Sequence, residues 1–293
     1  MKFQSILQAA TDELRHISNT QLTLELVTEL PLNSGAGSIY KNSSAQNTSH
    51  HYWIPWTEEM GAWIDANGHH AILVVVESAP IENIQGSPVL CFAAHIAATC
   101  LGLQGQIALH ANVVALDGVA IAFAGCSGKG KSTLTTYCVS RGASFVTDDV
   151  LVVNDQGQVR PGSPRIKLFP HTGESFGLDA SETTTYKIHY AIEQLGITPQ
   201  NQSFPLGTIY LLEESDRIYI EQLSPSQALL DLLIHSYHVT EIMPDQPSLF
   251  YAYTNLVAQV PVKKLFYPRS FESLPKLYDF LQTETHSFTP QLL

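Results

Sequence analysis

The spacing of apolar positions changes along the chain, and each change marks an element. Thr11 to Ser18 reads as the close of a short helix, after which Leu22, Leu24 and Leu26 alternate with polar neighbours as a half-buried strand does. Asn33 to Ser49, rich in Asn, Ser and Gly, is a loop or an exposed hairpin connection. Ile72 to Glu77 is a second strand. Trp53, Trp56 and Trp63 fall between these segments and read as core or hinge residues. Ser87 to Leu103 is apolar almost all round, with Pro88 in its first turn, and predicts a core helix too short to span a bilayer.

From Gly105 onward strands and turns take over. Ile107 to Leu116 predicts a strand, Asp117-Gly118 a hairpin turn and Val119 to Ala124 the returning strand. Phe145-Val146 and Val150 to Val153 flank Asp148-Asp149. Thr208 to Leu212 and Arg217 to Gln222 predict a hairpin. A helix follows Pro225 through Ile234, Val262 to Phe266 is a strand and Leu274 to Leu281 a helix. Strands and helices mix without strict βαβ alternation, so the pattern predicts an α/β protein whose mixed sheet leans antiparallel. The change of pattern divides a smaller α+β part, residues 1–104, from a larger part, residues 105–293.

One segment carries chemistry outright. Gly125-Cys-Ser-Gly-Lys-Gly-Lys-Ser-Thr133 reads G-x-x-x-x-G-K-S-T between a predicted strand and a predicted helix, the context a phosphate-binding loop requires. Glycines at 125, 128 and 130 let consecutive N–H groups turn inward towards a polyphosphate, and the helix N-terminus adds partial positive charge. Gly125, Ser127, Gly128, Lys129, Gly130, Lys131, Ser132 and Thr133 are the expected nucleotide-binding residues. Lys131 reaches the β/γ-phosphates and Ser132 is placed to ligate Mg²⁺. The sequence leaves ATP and GTP both open.

Composition narrows the partners. With 15 basic against 27 acidic residues the formal net charge is −12, which argues against nucleic acid or an anionic membrane. Cys91, Cys100, Cys126 and Cys138 form no C-x-x-C pair, as expected of thiols in a reducing compartment. Met1 to Gln8 lacks the apolar run of a secretory signal. The expectation is a cytoplasmic protein.

Asp148-Asp149 lies one helix and one strand beyond Ser132, a separation that returns the chain to the loop's edge. Two carboxylates there can divide two tasks, holding Mg²⁺ and accepting a proton from an attacking hydroxyl. Read alone, two aspartates can merely punctuate a strand end, but beside the glycine-rich loop the functional reading is the favoured one. His110 opens the strand paired to the loop strand, so it too can approach the phosphates. Arg165, Lys167, Lys187, Arg217 and Arg269 are candidate charge-stabilisers among which sequence makes no choice.

His110-Ala-Asn-Val-Val-Ala-Leu-Asp-Gly118, the glycine-rich loop and Thr147-Asp148-Asp149 together resemble the C-terminal domain of HPr kinase/phosphorylase. They resemble more closely its relatives that phosphorylate serine in other peptides or small molecules, including kinases of modified-peptide biosynthesis. The segments Val159 to Pro170 and Val262 to Leu281 share the likeness, which spans about residues 105–281. The resemblance implies a P-loop kinase core of the HPr kinase and phosphoenolpyruvate carboxykinase type. It implies Asp148 as base, His110 close to the reacting groups, and Ser132 with Asp149 as Mg²⁺ ligands, with Lys131 of the loop completing the expected catalytic set. The Glu-Arg-Gly signature of the parent enzyme has no clear counterpart here, so the resemblance does not by itself imply phosphorylase activity or HPr as acceptor.

The expected activity is thus an ATP/Mg²⁺-dependent kinase acting on a hydroxyl, with residues 1–104 recognising the acceptor. Two other readings remain open from sequence: a nucleotide-gated binding or regulatory protein, and an NTPase that activates water. A homo-oligomer is compatible with all three.

Overall fold

The computed structural model describes residues 2–31, 40–41, 52–80, 86–179 and 186–286. Apart from Tyr40-Lys41, the polar tract Asn33 to Ser49 lies outside the described residues. The chain divides into two compact units, one of residues 1–108 with 237–250 and one of residues 109–236 with 251–293. The pattern change at residue 105 falls near the first division, but nothing in the spacing signals that 237–250 joins the first unit.

The first unit is built on a five-stranded sheet of β1 (Gln21–Val27), β2 (Tyr40–Lys41), β3 (Tyr52–Pro55), β4 (Met60–Ile64) and β5 (His70–Val76), in spatial order β1-β5-β4-β3-β2. β1 runs parallel to β5, and the remaining pairs are antiparallel. The helix Lys2–Ile17 is twice the length that Thr11 to Ser18 suggests, and it packs against the helix Ser87–Leu103. The latter is buried on most sides, which explains its apolar periphery. Trp53 is fully buried and is a core residue, while Trp63, 5.0 Å from it, and Trp56, stacked on Phe92, are half-buried. Among the described residues no helix is long and apolar enough to cross a membrane.

The second unit carries β6 (Ile107–Leu116), β7 (Val119–Ala124), β8 (Ser144–Thr147), β9 (Val150–Val153), β10 (Gln158–Val159), β11 (Arg165–Leu168), β12 (Ile188–Ala191), β13 (Phe204–Glu214), β14 (Tyr219–Gln222) and β15 (Val262–Tyr267). Its large sheet has the order β10-β9-β6-β7-β13-β15-β14, with β8 also paired to β6, while β11 and β12 form a separate ribbon. β6 and β7 make the hairpin expected around Asp117-Gly118. β7, β13 and β15 are mutually parallel at the centre, so the sheet is mixed, with a parallel heart.

One expected pairing does not form. β13 and β14 are not a hairpin, because β15 lies between them, parallel to β13 and antiparallel to β14. The reason is burial. β13 is buried on both faces over Leu206 to Leu212 and needs a neighbour on each side, which β7 and β15 supply. β14 is mostly exposed and serves as an edge, with Tyr219 stacked on Phe266. The helices Lys131–Ser140 and Leu274–His286 close a core with β7 and β13 through Leu134, Cys138, Leu277 and Leu281 against Ile121, Phe123, Tyr210 and Leu212.

Candidate functional site

β7 delivers the chain directly into the glycine-rich loop. Gly128 and Gly130 take φ values of 87° and 89°, a region where side chains are strained and glycine is not. Gly130 has a second reason to be glycine: a Cβ there would come within 2.5 Å of the Tyr267 hydroxyl. That hydroxyl donates to the Lys129 carbonyl at 2.6 Å and ties the loop to the end of β15. Lys131 and Ser132, in the first turn of the following helix, are buried. The Lys131 ammonium donates to the Gly125 carbonyl at 2.6 Å, lying across its own loop.

A cavity of about 480 Å³ opens on this loop. Of the eight expected nucleotide-binding residues, Ser127, Gly128, Gly130, Lys131, Ser132 and Thr133 line it, while Gly125 and Lys129 do not. The Lys129 ammonium is held instead by Glu213 at 2.6 Å.

Asp148 and Asp149 sit between β8 and β9, and they point apart. Asp149 has φ 69°, a left-handed conformation that Asp tolerates better than most residues. Asp148 Oδ1 accepts from the Ser132 hydroxyl at 3.2 Å and closely from the Asn112 amide, and its Oδ2 accepts from the Lys167 backbone N–H at 2.7 Å. Asp149 lines the cavity instead. Its Oδ2 pairs closely with the Lys167 ammonium and its Oδ1 is 3.9 Å from His110 Nδ1.

The electrostatics separate the two acids as well. Burial, then the neighbouring Asp149 charge, pushes the Asp148 carboxyl up to about 7. Burial alone would raise Asp149 too, but the Lys167 ammonium beside it holds it well below the usual carboxylate range. Burial also lowers Lys131, and pushes His110 and His189 down to about 4, so both histidines are neutral near pH 7.

Three contributors escaped the sequence reading. Asn112 is fully buried, and its amide bridges Asp148 and Ser132, donating to Ser132 Oγ at 3.3 Å. It lies two residues from His110 on β6, hence on the same face, and a lone amide in an otherwise apolar strand was the signal available. His189 is paired across the β11–β12 ribbon with Lys167, a juxtaposition no local pattern announces. Tyr267 is the third. Among the candidate cations, Lys167, Lys187 and Arg269 line the cavity, Arg165 does not, and Arg217 is an exposed partner of Asp216.

Among the described residues no group of three or more His, Cys, Asp or Glu side chains is arranged to hold a metal ion. The site offers instead a hydroxyl and a carboxylate side by side, Ser132 and Asp148. Such a pair of oxygens suits Mg²⁺, which completes its shell with phosphate oxygens and water rather than with an all-protein cage.

No protein-family model matches the chain, and no curated protein matches it. Among solved structures it is similar to the Hpr(Ser) kinase/phosphatase from Coxiella burnetii, with 15% identity over 61% of this chain and 95% of that one. The TM-score is 0.34, at which the likeness carries no weight for function.

Proposed function

We propose that this protein is an ATP- and Mg²⁺-dependent phosphotransferase that moves the γ-phosphoryl group to a hydroxyl, that of a serine in a peptide, protein or small molecule. One observation carries the reading. A single cavity is lined both by the glycine-rich loop with Lys131 and Ser132 and by Asp149 with Lys167 and His110. Phosphate-binding groups and a carboxylate for the acceptor thus share one space.

The geometry supports a division of labour opposite to the one the sequence resemblance implies. Asp148, turned onto Ser132, is the acid on the metal side. Asp149, facing the cavity, is the acid on the acceptor side. Mg²⁺ brought in with the nucleotide would supply positive charge to the phosphate oxygens, with Ser132 Oγ and Asp148 holding it. Lys131 moves from the Gly125 carbonyl to the phosphates. Paired with Lys167, Asp149 is a weak base, so it takes the acceptor's hydroxyl proton late, once that oxygen has largely bonded to the γ-phosphorus and turned acidic. The bond to the β–γ bridging oxygen breaks, and ADP leaves with the electron pair. Lys167, which positions Asp149, meets the charge spreading over the transferring oxygens. Neutral His110 offers a hydrogen bond beside Asp149 without adding charge.

The test compares the wild type with Asp148→Asn and Asp149→Asn, using calorimetric Mg–ATP titration and γ-phosphate transfer to a panel of hydroxyl acceptors. Asp149→Asn should keep its Mg–ATP affinity and lose about 100-fold or more in transfer, as expected for removal of a general base. Asp148→Asn should lose the part of the affinity that depends on Mg²⁺. Failure of the wild type to bind Mg–ATP would sink the proposal. Binding without transfer to any acceptor would favour the nucleotide-gated alternative.

A further inference from the structure

Four cationic side chains other than histidine line the cavity, and three of them have partners. Lys131 lies on the loop that would cradle phosphate. Lys167 is paired with Asp149. Arg269 donates to Glu214 at 3.1 Å. Lys187 is different: among the described residues it pairs with no carboxylate.

Its ammonium sits 5.4 Å over the ring of Phe169, and the His171 ring stacks on the same phenyl at 5.7 Å with 17° between planes. The ribbon explains the placement. Leu168 pairs with Ile188, so Phe169 and Lys187 are the next residues out on facing strands. A contact with an aromatic face holds a lysine in position without neutralising it. The charge therefore stays available to the cavity, which Lys187 lines. The field of Lys187 reaches the reacting centre, adding to the downward pressure on Lys131 and His189.

We infer that Lys187, on its Phe169–His171 platform, is an anion-binding position for the acceptor. The substrate would then carry a carboxylate or a phosphate close to the hydroxyl that is phosphorylated. This inference rests on the phosphotransferase reading above. Within that reading the triphosphate is already met by the loop amides, Lys131 and the Ser132–Asp148 metal position. Lys187 lies instead just before β12, at the end of the ribbon from which Lys167 holds Asp149, the acid assigned to the acceptor.

The experiment saturates the full-length protein with Mg–AMPPNP, an ATP analogue that fills the γ-phosphate position, and then titrates inorganic phosphate by calorimetry. The loaded wild type should bind phosphate. Lys187→Met should weaken that binding about tenfold or more, the usual consequence of losing one charge-assisted hydrogen bond, with AMPPNP affinity unchanged. Lys187→Arg, which keeps the charge, should restore it. If the loaded wild type takes up no phosphate, the subsite is overturned while the nucleotide reading survives. If Lys187→Met weakens AMPPNP as much as phosphate, the lysine serves the nucleotide's own phosphates and the proposal is equally overturned. If AMPPNP itself does not bind, the phosphotransferase reading fails in the first titration, and the subsite falls with it.

Discussion

Asn112 shows how much of the candidate site depends on one amide. Its Nδ2 donates to both Asp148 and Ser132, while its own Oδ1 is buried without a hydrogen-bond partner. Leaving an acceptor unmatched has a cost, and that cost is tolerated where the other end of the side chain fixes something needed. What it fixes here is the carboxylate beside the loop serine. Asn112→Leu keeps the approximate volume but strips Asp148 of a donor in a buried setting. We expect a loss of about 1–3 kcal/mol in stability, the usual penalty for an orphaned buried partner, read as a lower urea midpoint. The same variant should bind Mg–ATP more weakly than the wild type and ATP without metal about equally. An unchanged Mg²⁺ dependence would mean that the amide serves the fold alone.

At the level of elements, the loop is held by two separate constraints that a mutant cycle can take apart. Gly130 needs glycine for its φ of 89° and for the space taken by the Tyr267 hydroxyl. Gly130→Ala should therefore cost about 1–3 kcal/mol from backbone strain, plus the clash. Tyr267→Phe removes the hydroxyl, and with it the bond to the Lys129 carbonyl. The double variant should then recover the clash but not the strain, giving a non-additive cycle in urea unfolding. Strict additivity would place Tyr267 elsewhere in solution.

The same elements mark where sequence is readable. Ser87–Leu103 and the β6–β7 hairpin were legible because their signals are local: an apolar run with Pro in its first turn, and Asp-Gly between two strands. The insertion of β15 between β13 and β14 was not, because strand neighbours are chosen by burial of both faces, a tertiary matter. The site divides in the same way. The loop, His110 and the two acids stand out as residue types in a pattern. The approach of Lys167, His189 and Lys187 is set by how the β11–β12 ribbon folds back. The left-handed φ at Asp149 is likewise invisible in the residue types, as is the division of partners between the two acids.

At the scale of the whole molecule, stability should follow the neutral histidines. Burial lowers His110 and His189 to about 4 from an ordinary value of 6.5, and lowers His235 and His238 as well. Between those pH values the unfolded chain takes up protons that the folded chain refuses, so the folded state loses ground as pH falls. Their contribution is fully present above 6.5 and is lost progressively towards 4. Asp148 works against this trend. Its raised pKa means the folded state takes up a proton as pH falls through about 7, before the unfolded chain does, offsetting the demand of one histidine. Several histidines against one carboxyl leave the unfolded chain binding more protons, so the urea midpoint should fall between pH 6.5 and 4.5. His189→Gln removes one of these groups. It should flatten the dependence by at most about 1.4 kcal/mol per pH unit, the limit for a single proton, and by less because the residue is only half-buried. A slope unchanged in His189→Gln would mean that this histidine titrates alike in both states, and that the acid sensitivity of the fold is seated elsewhere.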